Sequence, residues 1–177
     1  MLPALRTRDF EIIQPVQEQL EERPKFKVVW ERIVTVDYYE TALSALLPII
    51  DVVGNNDISK VQSCRKGVRK VRLSVIDLWE DKMLPFPSIS EAYEMISMGW
   101  IEPAGIIDLI IFTKIVREEK VLADKKGFLI LAIREYNLLG KEIKAFPSLA
   151  KYSTGIVLSL TYDWVIKDHH ALFLVVD

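Results

Sequence analysis

The stretch KVQSCRKGVRKVRLSVIDL, residues 60 to 78, decides how the middle of the chain is read. Val61, Cys64, Val68, Val71, Val75 and Leu78 are separated by 3, 4, 3, 4 and 3 positions, which puts all six on one helical stripe. Asp57 is a suitable N-cap just ahead of it. The β-branched residues and Gly67 would also suit a strand from Val71 to Leu78, but the longer period favours a helix. On that reading the stripe is buried, and Arg65, Lys66, Arg69 and Lys70 point to solvent.

The same stretch is strongly basic. Lys60, Arg65, Lys66, Arg69, Lys70 and Arg72 fall between positions 60 and 72, and no acid interrupts between Asp57 and Asp77. The whole chain carries a net charge of −2 over 177 residues, so any contact with an anionic partner has to come from a local patch. Two readings stand side by side. The run is the solvated face of an ordinary helix, or it is an electrostatic footprint for nucleic acid, nucleoprotein or an anionic membrane surface. Positions 60 to 72 hold no aromatic residue. Base stacking is therefore not supported, and such a patch would sense charge rather than sequence.

Upstream, residues 1 to 25 carry Pro3, Pro15 and Pro24 with no sustained period. They read as an arm, ordered either against a neighbouring molecule or as a strap across its own domain. In the first case Phe10, Ile12 and Ile13 would anchor it in a hydrophobic groove and promote self-association. From Phe26 to Asp37 the apolar residues alternate with polar ones, the period of a half-buried strand. TALSALL, residues 41 to 47, reads as a short helix, limited by Pro48 and left at Gly54.

Downstream, LPFP (84 to 87) is a rigid loop. Ser88 with Glu91 forms a capping box, and Gly99 ends the helix that it starts. Ile106 to Val116 is apolar on both faces and reads as a central strand. A DKKG turn leads to a strand from Phe128 to Tyr136, followed by others at Ile156 to Ile166 and Leu172 to Val176. The expected fold is α+β: one domain over residues 26 to 177, with an antiparallel sheet packed by two to three helices on one face.

The totals narrow the function. Half of the residues are apolar and 27% are charged, enough for a core of real size. Cys64 is the only cysteine, so no internal disulfide can form. The charged first residues do not resemble a signal peptide. AGIIDLIIF is far too short to span a bilayer. The chain is expected to be soluble or peripheral to a membrane.

Chemistry finds little purchase. His169 and His170 are adjacent and would point to opposite faces of a strand, with no further Cys or His to complete a zinc site. Cys64, on the stripe, reads as a small buried hydrophobe rather than a reactive thiol. No glycine-rich phosphate loop or nucleophile elbow is present. Asp77, Glu80, Asp81, Asp108 and Asp163 offer carboxylates, without a spacing that favours a site. No enzymatic activity, metal, cofactor or small-molecule substrate is expected.

YYETALSALLPIIDVVGNNDISKVQSCRKGVRKVRLSV, read as a helix, a turn and a basic helix after a first strand, carries a resemblance. With the proline-bearing arm before it and the strands after it, the order of elements over residues 26 to 177 resembles the matrix proteins of rhabdoviruses, in particular plant-infecting, cytorhabdovirus-like members. The resemblance implies a non-enzymatic structural protein of the virion and host cytoplasm. Such a protein self-associates and bridges viral nucleoprotein–RNA and an anionic membrane surface during assembly. The family often uses lysines in its N-terminal arm for membrane contact, whereas Arg6 and Arg8 are the only close basic pair here. The proline-tyrosine budding motif of animal members is absent. The competing reading is a small nucleic-acid-binding regulator acting through residues 60 to 72.

Overall fold

The computed structural model describes residues 26–54, 56–78, 88–99, 101–139, 143–162 and 171–177. The proposed arm (residues 1–25, with Phe10, Ile12 and Ile13), the LPFP loop, Glu80, Asp81, Asp163 and both histidines lie outside them.

The fold is α+β. Strand β1 (Lys27–Asp37) is followed by helix α1 (Ala42–Leu46), two 3-10 turns (Leu47–Val52 and Asn56–Lys60) and β2 (Val68–Asp77). Then come α2 (Ile89–Met98), the two-residue β3 (Glu102–Pro103) and α3 (Ile106–Glu119). Strands β4 (Phe128–Leu131), β5 (Asn137–Leu139), β6 (Ile143–Tyr152), β7 (Gly155–Tyr162) and β8 (Ala171–Val176) complete the chain.

The eight strands among the described residues belong to one sheet, with the path β1-β2-β8-β4-β6-β5, while β3 pairs with β8 and β7 with β6. Every ladder is antiparallel except β4–β8, which is parallel. Strand β8 is buried along its whole length, as expected of an apolar run with neighbours on both edges and helices over both faces. Leu172, Leu174 and Val176 join a core with α1 and α3, whereas Ala171, Phe173 and Val175 join a second core with α2. Helices therefore cover both faces of the sheet rather than one.

The basic stretch is not a helix. After the turn at Asn56–Lys60, residues 61 to 66 are irregular. Gly67 takes φ +91°, and β2 runs from Val68. Of the six stripe residues, Val61, Val75 and Leu78 are buried, Val71 is partly covered, and Cys64 and Val68 are exposed. The reason is tertiary. β2 is flanked by β1 and β8, so Leu73, Ser74, Val75 and Ile76 are all buried, on alternating faces. A helix would have turned half of those side chains to water.

Ile106 to Val116 errs in the opposite direction, being α3 rather than a central strand. A segment apolar all round has no period to read, and both assignments bury it. Its length of 14 residues and the carboxylate of Asp108, which accepts from the Gly105 N–H, favour helix. The capping box at Ser88 and Glu91 forms as expected. Strand β6 and the short β3 and β5 are additional to the strands expected from the sequence.

Candidate interaction surface and the network behind it

Two carboxylates lie at the N-terminus of α3, and their partners come from three separate parts of the chain. Asp108, fully buried, accepts from the Gly105 N–H (2.8 Å), the Tyr38 hydroxyl (2.5 Å) and Arg65 (2.9 Å). Glu135, also buried, accepts from the N–H groups of Ile106 (2.7 Å) and Cys64 (2.9 Å). The first turn of a helix has N–H groups without intrahelical partners and a positive dipole end, so it favours anions. Gly105 is required there, because a Cβ would overlap the Glu135 carboxylate.

Glu135 reaches this site because the chain from β4 to β5 bulges away from β6. Residues 128 to 131 pair with 151 to 148, and residues 137 to 139 pair with 145 to 143. The segment between them turns toward α3, and the Arg134 N–H bonds the Ala104 carbonyl (3.1 Å). Arg65 completes the network. It is 8% exposed, and its guanidinium donates to Asp108, to Glu102 (2.6 Å) and to Tyr38 (3.3 Å). Arg134 meets the same Glu102 oxygen at 2.7 Å and donates to the Cys64 sulfur at 3.0 Å.

The charges respond as their surroundings dictate. Burial pushes the Asp108 carboxyl up, more than its hydrogen bonds and Arg65 pull it down. Burial works against the Arg65 cation, but Asp108, Glu102 and Tyr38 outweigh it and the net shift is upward. Glu102 is held below the usual carboxylate range, chiefly by its bond to Arg65. The Tyr38 hydroxyl is raised by burial and by the neighbouring Asp108 charge. Among the described residues, no buried side-chain nitrogen or oxygen lacks a partner, and no cluster of potential metal ligands forms.

The network corrects two expectations. Arg65 is not a solvent-facing member of a basic patch; it is the internal counterion of Asp108. Cys64 is not a buried hydrophobe but an exposed thiol whose backbone N–H is tied to Glu135. The sequence held one signal for this site. An acid inside AGIIDLIIF has to find a buried partner, and a nearby arginine is the natural one.

The other cations of the run are dispersed. Lys60 pairs with Asp57 (2.5 Å), and Arg72 lies 3.6 Å from Asp177. Arg69 sits opposite Val36 on the face of β2 that carries Leu73. Lys70 and Arg72 lie opposite Thr35 and Ile33 on the other face. Lys66 is exposed in the loop before Gly67. Lys66, Arg69 and Lys70 are exposed and have no ion-pair partner among the described residues.

The surface around them is the outer half of the β1–β2 ribbon. Ile33 and Val68 are 54% and 61% exposed there. β8 and the Asp177 that follows it pair with β2 only over Arg72–Ile76, so this half of the ribbon extends beyond the rest of the sheet. A second exposed stripe, Leu43, Leu47 and Ile50, lies on α1 and the 3-10 turn after it. No helix among the described residues is long and apolar enough to cross a membrane. The chain matches no protein-family model, no curated protein and no solved structure.

Proposed function

We propose that this chain is a non-enzymatic structural protein that associates with copies of itself and with a polyanionic surface. That is the role implied by its resemblance to rhabdovirus matrix proteins, which bridge nucleoprotein–RNA and membrane during virion assembly. The observation that carries the reading is the outer half of the β1–β2 ribbon. Exposed Ile33 and Val68 lie there beside Arg69 and Lys70, and Lys66 adjoins them with no ion-pair partner among the described residues. Exposed apolar residues next to unpaired cations suit a surface that is covered in an assembly. The buried carboxylates lend support from the other side. Asp108 and Glu135 spend their oxygens on internal donors, which suits holding a loop in place.

The test replaces Lys66, Arg69 and Lys70 together by glutamine in the full chain. Co-sedimentation with purified nucleocapsid and with vesicles containing anionic lipid is then measured over a salt series. Weaker binding with a shallower salt dependence, and an unchanged melting curve, is expected. Wild-type binding to both partners by the triple variant would overturn the role of the ribbon. A stable monomer that binds naked RNA with a steep salt slope would favour the regulator reading instead.

A further inference from the structure

We infer that the open edge of β1 is the surface through which two copies of the chain pair, in one particular antiparallel register centred on Ile33. The inference rests on the self-association reading above and names the surface that performs it. β1 is the last strand of the sheet on its side and has no strand beyond it among the described residues. Eleven residues of edge with β-branched side chains form a ready template for another strand.

The hydrogen bonds around β1 fix which residues face outward. The Tyr38 N–H bonds the Gly67 carbonyl (2.9 Å), continuing the ladder in which Val36, Val34 and Arg32 turn their backbone groups toward β2. Arg72 exchanges both of its bonds with Asp177 (2.8 and 3.0 Å), on the side away from β1. Its partner Ile33 therefore turns its N–H and C=O away from β2. Glu31, Ile33 and Thr35 direct their backbone groups to the open edge, whereas the Asp37 carbonyl accepts from the Glu40 N–H.

Charge and the length of β1 then select the register. A two-fold axis perpendicular to the sheet keeps each face continuous and can pass only through a residue of β1. Centred on Glu31 or on Arg32, it sets that charge against its own copy. Centred on Val34, it sets Glu31 against Asp37. Like charges directly opposite destabilise a ladder. Centred on Thr35 or Val36, it pairs only residues 33–37 or 35–37 before the strand ends, and centred on Trp30 it has to cross the bulge between Val28 and Trp30. Centred on Ile33, it places Ile33 against Ile33, Glu31 against Thr35, Arg32 against Val34 and Trp30 against Val36, with no like charges opposed. The β-bulge between Val28 and Trp30 falls at the end of this segment and stops the pairing there.

The pairing has a consequence for the partner surface. Arg72 and Lys70 lie opposite Ile33 and Thr35 on the face where the two isoleucines meet. Two copies thus bring their Lys70 and Arg72 side chains to either side of one apolar contact, and two narrow ribbons become one basic band. An edge ladder alone covers less surface than a standard interface of roughly 1,600 Å². The pair is accordingly weak in solution and strengthens when a polyanion engages both halves.

The experiment uses the full chain with Cys64→Ser, so that the introduced thiol is unique. In the proposed pair the two Ile33 Cα atoms lie about 5.5 Å apart, within the range of a disulfide. Under mild oxidation Ile33→Cys should give a covalent dimer, whereas Thr35→Cys and Val34→Cys, whose partners are Glu31 and Arg32, should not. Independently, Ile33→Pro removes only an outward N–H, and by sedimentation velocity it should weaken dimerisation at least about tenfold. Suppose the wild type self-associates while Ile33→Cys cross-links no better than Val34→Cys. This surface would then be wrong and the self-association reading would stand. A wild type that is monomeric at every concentration would overturn both. If Ile33→Pro does not fold, the cross-linking comparison decides.

Discussion

Replacing Arg65 by methionine tests whether the basic run is divided between the interior and the surface. Met keeps much of the side-chain volume and removes the charge. The variant loses bonds to Asp108 (2.9 Å), Glu102 (2.6 Å) and Tyr38 (3.3 Å). Glu102 is exposed and retains Arg134 at 2.7 Å, so its loss is small. Asp108 is fully buried and keeps only the Gly105 N–H and the Tyr38 hydroxyl. Breaking a buried pair by removing one partner costs about 3–5 kcal/mol, because the remaining charge has no counterion. The expected loss at neutral pH lies in that range, against about 0.5 kcal/mol for a surface cation.

The pH dependence follows from the direction of the Asp108 shift. Burial already holds its folded pKa above the unfolded value, and removal of Arg65 raises it further. A carboxyl raised in the folded state favours folding while protonated, and that contribution is lost as pH rises through the folded pKa. Relative to wild type, Arg65→Met should therefore be least destabilised in acid and most destabilised above the folded pKa of Asp108. Wild type also loses its Glu102 contribution as pH falls through that group's depressed pKa, which narrows the gap in the same direction. Urea unfolding of both proteins across a pH series measures this, and Arg65→Met/Asp108→Asn should regain part of the loss. A penalty under about 1 kcal/mol at neutral pH, flat with pH, would show that Arg65 is a solvated cation and that the network contributes little.

Two further substitutions probe the same region. Gly105→Ala forces the Glu135 carboxylate off the α3 N-terminus, and overpacking of this kind should cost about 1–3 kcal/mol in thermal unfolding. Gly67→Ala meets no atom within 4 Å but has to adopt φ +91°. It should cost about 1 kcal/mol by denaturant titration, and Gly67→Asn less, since asparagine tolerates a left-handed backbone better.

Local chemistry was legible wherever a short element depends on its own residues. The short helix expected in TALSALL forms α1, Ser88 and Glu91 cap α2, and the polar–apolar alternation after Phe26 forms β1. The α+β class followed from the order of such elements. Two apolar segments could not be assigned locally, because their conformation is set by what covers them. Val71 to Leu78 fits a helix by period, yet it is a strand because β1 and β8 lie on its two sides. Ile106 to Val116 fits a strand by its lack of period, yet it is a helix because its first turn is held by Asp108 and Glu135. The site depended on tertiary structure for the same reason. A run of cations in sequence says how much charge is present, and nothing in it distinguishes Arg65 from Lys66. Only the fold, by burying Asp108, decides that one of them is a counterion and the other remains on the surface.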